Sequence, residues 1–402
     1  MTETETETRP AVRLRPNVNA QNLRFGAPWA YADQLVLDRR TRAIPAGAVV
    51  ELQDAERRPL GAAAFNAGSK IAARMLDRDP AAEIDADWFA ARLRTALELR
   101  ETLFDEPFYR LIHAEADGMP GVVIDRFGDA AVIQPNAAWA ETRLGALAEA
   151  LGAVTGVTTI VKNGAGRARA LEGLPEASEV LTGALEAPVP VRMNGATYLA
   201  DLIGGQKTGL FYDQRPNHAF AARLGRGREV LDVFSHVGGF ALAALAGGAT
   251  GALAVDGSAA ALDLATRGAE ATGVAGAFAT QKADAFDAMT RLGEEGRRFG
   301  LVVCDPPAFA PNKPALEAGL RAYERVARLG AALVEPGGFL VLCSCSHAAD
   351  LVRFREASLR GVGRAGRSAR ILGTGGAGPD HPVHPHLAES AYLKALFLRL
   401  DG

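Results

Sequence analysis

A chain of 402 residues exceeds one ordinary domain, and 48% hydrophobic with 23% charged residues is the composition of a globular protein with more than one core. The net charge of −3 argues against a globally basic nucleic-acid binder. Three cysteines, Cys304, Cys343 and Cys345, are too few for a disulfide framework, so a reducing cytoplasm is the expected setting.

The chain opens on MetThrGluThrGluThrGluThrArgPro, an acidic polar repeat without the apolar core of a secretory signal, and residues 1–10 are expected to form a disordered tail. Residues 11–78 alternate short apolar stretches with proline, glycine and charged turns, which predicts a small β-rich module. Between Arg9 and Leu76 lie eleven basic residues against five acids. An RNA-binding module would carry that excess, and so would an ordinary solvated surface in a chain with 38 Arg and 6 Lys. A central α+β domain is expected over 79–195. There Trp88, Phe89, Leu93, Leu97 and Leu99 space as an amphipathic helix, and residues 109–128 read as strand, tight turn and strand.

Over 196–402 strands and helical runs alternate. Strands are expected at Glu229–Phe234, Gly251–Asp256, Ala277–Lys282, Leu301–Cys304, Gly338–Ser344, Ser368–Leu372 and Leu393–Leu400. The alternation predicts an α/β fold with a doubly wound, mostly parallel sheet. The uncharged stretch 233–255 has the length of a membrane span, but it is rich in alanine and glycine and bracketed by Asp232 and Asp256. It reads as buried strand, turn, helix and strand, with no membrane partner.

Such sheets bind ligands beyond the carboxyl ends of their strands, where the winding reverses. In LeuAspValPheSerHisValGlyGlyPhe at 231–240, Gly238 and Gly239 would admit a ligand close to the backbone and start a helix whose amide end faces it. Tight strand-helix packing would also ask for glycine there. Asp256 ends the next strand, placed to accept from ribose hydroxyls, and Asp284 follows the third, placed to accept from an adenine amine. A dinucleotide would use the same acid, but the full GxGxxG fingerprint is missing, and S-adenosylmethionine fits better than nicotinamide.

AspProProAlaPhe at 305–309 follows the fourth strand. Its prolines fix a rigid, acceptor-rich corner with Phe309 as a stacking surface for a planar base, although a bare AspProPro also serves as a strand-ending turn. Asp305 would hold the base edge. GlyGlyPheLeuValLeuCysSerCysSer at 337–346 then delivers Cys345 to the same carboxyl edge. A thiolate adding at carbon 6 of a pyrimidine makes carbon 5 nucleophilic toward a methyl sulfonium. Cys304 and Cys343 read as packing residues. In HisProValHisProHis at 381–386 the prolines orient the rings irregularly and no cysteine accompanies them, so no metal is expected and a loop over the active site is the better reading.

With ProTrp at 28–29, residues 109–128, LysThrGlyLeuPheTyrAspGlnArg at 207–215, AspHisProVal at 380–383 and TyrLeuLys at 392–394, these motifs run over nearly the whole chain. They resemble the family of large-subunit ribosomal RNA cytosine-5 methyltransferases that carry an amino-terminal PUA domain. The resemblance implies a PUA barrel, a central α+β domain and a class I methyltransferase sheet. It also implies S-adenosylmethionine as cofactor and large-subunit ribosomal RNA as partner, with a homodimer left open. Phe211, Asp213 and Arg215 are then expected to border the cofactor and Cys345 to be the nucleophile, with Asp305 beside it. The cofactor set further comprises Asp232, Phe234, Ser235, Gly238, Gly239, Asp256, Ser258, Asp284, Ala285 and Asp305; Lys207, Pro306, Phe309, Lys313 and His381 are expected at the base.

Two positions depart from the family pattern: Ala308 stands where it has lysine, and His236 and Val237 where TyrThr is usual. A related class that methylates guanine shares AspProPro-x-Phe followed by a lysine like Lys313, but lacks SerCysSer. Guanine methylation is therefore the second reading, followed by a non-catalytic RNA-binding assembly factor and a dehydrogenase. A base inside a helix cannot present carbons 5 and 6 to both reactants, so the target must be unpaired or flipped out.

Overall fold

The computed structural model describes residues 9–185, 188–204 and 209–401. The expected tail lies outside them up to residue 8, whereas Arg9, counted in that tail, donates to the carbonyl oxygens of Pro80 and Ala82. The chain forms two units, one comprising residues up to 186 with Pro382–Leu387, the other 187–381 with 388–402.

In the first unit a five-stranded sheet runs in the order Ala11–Arg13, Ala48–Gln53, Pro59–Phe65, Ala73–Asp77, Trp29–Ala30. Val12, Leu14, Val50, Leu52 and Phe65 fill its buried face, with the period of two that a pleated strand imposes. A second sheet orders Glu179–Thr182, Thr159–Lys162, Ala130–Pro135, Val122–Phe127, Phe108–His113. The helix Ala86–Leu103 starts on Asp85, whose carboxylate accepts the Trp88 amide at 2.9 Å, and buries Leu93, Ala96 and Arg100. Leu99, expected on that stripe, is 44% exposed, because it falls between the i, i+3, i+7 positions that face the core.

Buried charges join the two sheets of this unit. Glu172 accepts from Asn66 at 3.0 Å and Ser69 at 2.7 Å and pairs with Arg74 at 3.1 Å. Arg74 also meets Glu115 at 3.0 Å. Arg100, 0% exposed, makes two 2.7 Å bonds to Asp117 and donates to the Arg110 carbonyl at 2.9 Å.

The second unit holds a seven-stranded sheet: β1 (Glu229–Val233), β2 (Gly251–Asp256), β3 (Phe278–Lys282), β4 (Phe299–Cys304), β5 (Val334–Ser344), β6 (Ala369–Gly375) and β7 (Lys394–Leu400). Its order is β3-β2-β1-β4-β5-β7-β6, parallel except for β7, which runs antiparallel to both neighbours. Each strand expected from the sequence is present, most with shifted ends. The helices are α1 (Arg215–Gly225), α2 (Gly239–Ala246), α3 (Ala259–Thr272), α4 (Ala285–Glu294), α5 (Leu316–Ala332) and α6 (Leu351–Arg364). The winding reverses between β1 and β4. The uncharged stretch 233–255 becomes the end of β1, α2 and most of β2, and no helix among the described residues is long and apolar enough to cross a membrane.

A hairpin of Val189–Met193 and Ala196–Ala200 lies wholly in the second unit, so the expected boundary at 195/196 cuts through it. Asn194 and Gly195 turn it with φ of 54° and 77°, the paired left-handed conformation that an Asn-Gly step favours.

Arg100→Met would leave the Asp117 carboxylate in a site where its side chain is 7% exposed, with its guanidinium partner gone. Stability is expected to fall by about 3–5 kcal/mol, the usual effect of removing one member of a buried pair. Denaturant titration of the full chain measures it.

Candidate active site

Beyond β1 the backbone is strained. Phe234 and His236 adopt left-handed φ of 64° and 49°, and Gly238 follows at 80°. Conformations of this kind in non-glycine residues cost about 1–3 kcal/mol each and persist only where their surroundings impose them. Here Asp256 does so: Oδ2 accepts the His236 amide at 2.9 Å and Oδ1 the Ser258 amide at 2.8 Å, tying the turns after β1 and β2 together. Ser258 in turn caps α3 by accepting the Ala261 amide at 3.2 Å.

Asp232 lies fully buried on β1, with Oδ2 accepting the Ala241 amide of α2 at 2.9 Å. Burial pushes its carboxyl up to about 7; the Ala241 amide opposes the shift and the charge of Asp256 adds to it. Asp284 caps α4 by accepting the Phe286 and Asp287 amides at 2.9 and 3.1 Å, and Ala285 is buried behind it. Gly238 serves the left-handed turn. A Cβ on Gly239 would fall 2.8 Å from the buried His218 ring, so packing against protein requires this glycine irrespective of any ligand.

The segment before α1 faces the same edge. Gln214 donates to Asp305 Oδ2 at 2.9 Å and accepts from Asn217 at 2.6 Å, which fixes both the amide and the acid. Phe211 packs its ring against His236 at 5.0 Å between centroids, and the Arg215 guanidinium lies 5.5 Å from the Tyr212 ring centre. Asp213 accepts the Tyr392 hydroxyl through Oδ2. Beyond β4, Pro306 is buried, and Phe309 sits in a ring cluster with Phe234 at 6.4 Å, Phe286 at 6.3 Å and Tyr323 at 5.1 Å. Lys313 is exposed at the head of a short 3-10 turn, and Lys207 lies outside the described residues.

The three cysteines differ sharply. Cys304 and Cys343 are fully buried, and burial first, then nearby acids, pushes both thiols far up. Cys345 is half-buried, just past β5. Cys304 pairs with Leu342, so β4 and β5 end side by side. The flanking serines do the positioning. Ser344 donates to the Tyr323 hydroxyl at 2.9 Å, that hydroxyl lies 2.7 Å from Ser346 Oγ, and Ser346 Oγ accepts the Ala310 amide at 2.9 Å. The loop bearing Cys345 is thereby bound to the loop bearing Asp305.

Sequence reasoning gives no role to Tyr323, Lys394, Gln214 or Asn217. Tyr323 reads as one more core aromatic on an amphipathic helix, while TyrLeuLys at 392–394 and AspGlnArg at 213–215 are visible as motifs without a role for these members. The histidine run divides instead of forming one loop. His381 stays with the second unit, its Nδ1 2.9 Å from Asp380, whereas residues 382–387 group with the first unit, where His386 Nε2 lies 3.1 Å from the Phe25 carbonyl.

Among the described residues, three buried oxygens at or near these strand ends have no partner: Asp213 Oδ1, Asp232 Oδ1 and Ser235 Oγ. Unsatisfied groups of this kind are costly, and a ligand rich in amine and hydroxyl donors would satisfy them.

The buried acid makes stability depend on pH. Between its ordinary value of 3.8 and about 7 the folded protein keeps a proton on Asp232 that the unfolded chain has released, so stability falls as pH rises through that window and stays low above it. Asp232→Asn is expected to flatten this dependence and to leave the ligand-free protein at least as stable as wild type at pH 8. Denaturant midpoints at pH 5 and pH 8 measure the difference; parallel losses in both proteins would contradict it.

A family of S-adenosylmethionine-dependent methyltransferases matches residues 144–399, and a PUA-like domain family matches residues 12–78. Ribosomal RNA large subunit methyltransferase I of Erwinia tasmaniensis is 34% identical over 378 residues, covering 93% of this chain and 95% of that one. The ribosomal RNA large subunit methyltransferase of Deinococcus radiodurans is 35% identical over 406 residues, covering 98% of each. Solved structures share the fold: a chain described as a methyltransferase complexed with SAH superposes with TM-score 0.81 at 20% identity, covering 98% of this chain and all of that one. A SAM-dependent methyltransferase from Streptococcus mutans gives 0.79 at 18% identity, covering 97% of this chain and 100% of that one. A class I sheet with β7 reversed, preceded by a PUA-like domain and matched along its length by these relatives, makes this chain a member of the family of PUA-domain, S-adenosylmethionine-dependent methyltransferases.

Proposed function

We propose that this enzyme methylates carbon 5 of a cytosine in large-subunit ribosomal RNA, with Cys345 as a transient covalent nucleophile. The names of the relatives support the RNA class. One observation carries the base and the atom: of three cysteines only Cys345 is accessible, and its loop is bonded through Ser346 to Ala310 of the AspProPro loop.

S-adenosylmethionine supplies, when bound, a methyl group made electrophilic by its sulfonium. Asp232, Ser235 and Asp256 would hold its polar groups, Asp284 and Ala285 its base, and Phe211, Asp213 and Arg215 its flank, with Phe234, Gly238, Gly239 and Ser258 lining the turn. Asp305, oriented by Gln214, accepts from the exocyclic amine of the cytosine and sets the ring against the thiol. The Cys345 thiolate adds to carbon 6; the electrons of the ring double bond move to carbon 5, which takes the methyl group. Loss of the carbon 5 proton to base returns those electrons, and the carbon-sulfur bond breaks. Methylation at a guanine nitrogen needs none of this, because a lone pair is already present.

Cys345→Ala is expected to lose at least a thousandfold in methyl transfer while keeping cofactor affinity, and Cys343→Ala to retain substantial activity. RNA containing 5-fluorocytidine should form a stable adduct with the wild type, since fluorine blocks the proton loss that releases the enzyme. Full activity in Cys345→Ala would replace this reading with guanine methylation.

RNA is held by the basic amino-terminal module. Arg39, Arg40 and Arg42 are exposed on one short helix there. Reversing all three to Glu is expected to weaken RNA binding and to flatten the slope of its salt dependence by about 0.7–0.9 for each phosphate no longer neutralised, with cofactor affinity unchanged. Filter binding across a salt series measures both; unaltered binding would assign the module another purpose.

A further inference from the structure

Lys394 begins β7 opposite Ser344 of β5 and is 7% exposed. Lysine is seldom buried unless paired, and no carboxylate lies within ion-pair distance of this one among the described residues. Its Nζ donates instead to two carbonyl oxygens of the Cys345 loop, Ser346 at 2.6 Å and Ala349 at 2.7 Å. A lysine serving only to stitch a loop would be an expensive choice, because two carbonyl dipoles offset only part of the cost of a buried charge. An ionised thiol on the loop it holds would add a counter-charge.

We propose that Lys394 is a positioning residue for Cys345, its buried ammonium fixing the loop that carries the thiol and favouring the thiolate over the thiol. The catalytic meaning of this rests on the cytosine reading above; the electrostatic claim does not. Burial lowers the Lys394 ammonium to about 8, and interaction with Cys345 and then Asp350 works in the opposite sense. Other titratable groups near this loop among the described residues are a tyrosine, two acids and a histidine. Tyr323, from α5, is held neutral by burial, with its hydroxyl engaged by Ser344 and Ser346. Asp350 is exposed and caps α6 by accepting the Arg353 amide, and Asp305 lies beyond β4 on the loop bonded to this one through Ser346. His347, two residues on, is exposed to solvent.

The test is the pH dependence of iodoacetamide alkylation in the full-length protein, read at Cys345 by peptide mass spectrometry. An ordinary thiol titrates near about 8.5. The wild type is expected to show a midpoint at least one pH unit below that, and Lys394→Gln, which keeps a donor but not the charge, to alkylate at least tenfold more slowly at pH 7. The kcat–pH profile should move with it while KM for cofactor stays put. A wild-type midpoint at or above the ordinary value overturns the proposal without any variant, as does an unmoved midpoint in folded Lys394→Gln. Cys345→Ala separates the two claims. If it remains active while the thiol midpoint is low and depends on Lys394, the cytosine reading fails and the electrostatic inference stands. If it is inactive while the thiol titrates ordinarily, only the role of Lys394 fails.

Discussion

The sheet edge beyond β4 and β5 is held together at one buried serine. Ser346 Oγ takes the Ala310 amide and shares a hydrogen bond with Tyr323, while the carbonyl of the same residue takes the Lys394 ammonium. Three elements, the loop after β4, helix α5 and strand β7, therefore converge on a single residue next to Cys345. Two parallel strands ending side by side would bring an acid and a thiol only into the same neighbourhood. Fixing their separation needs bonds between loops, and fully satisfied buried networks provide them with little freedom to adjust.

A different device shapes the β1–β2 side. There the backbone is forced through two left-handed non-glycine residues, and the carboxylate that forces it, Asp256, is itself pinned by two amides. Beneath it Asp232 is buried deeply enough that its carboxyl is pushed up to about 7. Both features reduce the stability of the ligand-free protein. They are consistent with a pocket organised in advance for a polar ligand, where destabilising groups are retained because the ligand, once bound, satisfies them.

Much of this is legible in the sequence because it is local. Strand-ending acids, proline corners and hydrophobic runs announce the α/β sheet and which end of it carries polar groups, and the SerCysSer run singles out Cys345. The partners that hold those groups are not legible. Gln214 lies 91 residues from Asp305, Tyr323 lies 23 from Ser346 and Lys394 lies 48 from the same serine, and no periodicity links such pairs. The glycine turn misleads in an instructive way: Gly239 reads as a point of ligand approach, yet the atom nearest its missing Cβ belongs to His218, from α1. The Asn194–Gly195 step is a local hairpin signal, and a domain boundary drawn on the broader change of pattern overrides it and falls inside the hairpin.

The two departures from the family pattern have unequal consequences. At His236 the backbone amide anchors to Asp256 and the ring packs edge-on against Phe211, work that an aromatic tyrosine would do equally well. Val237 is buried, where a threonine of the same shape would need a partner for its hydroxyl. Ala308 is another matter. It is exposed in a loop whose path is set by its neighbours, Asp305 through Val233 and Ala310 through Ser346, so its own side chain contributes nothing to the conformation. Alanine in place of lysine there leaves the loop intact and removes one positive charge from the AspProPro turn. Among the described residues, Lys313 follows that loop and is solvated, and Lys394 is buried against the Cys345 loop. Of these two, Lys394 is the one that water screens less, so the Cys345 loop has a buried cation bonded to it where the AspProPro turn has lost one at position 308.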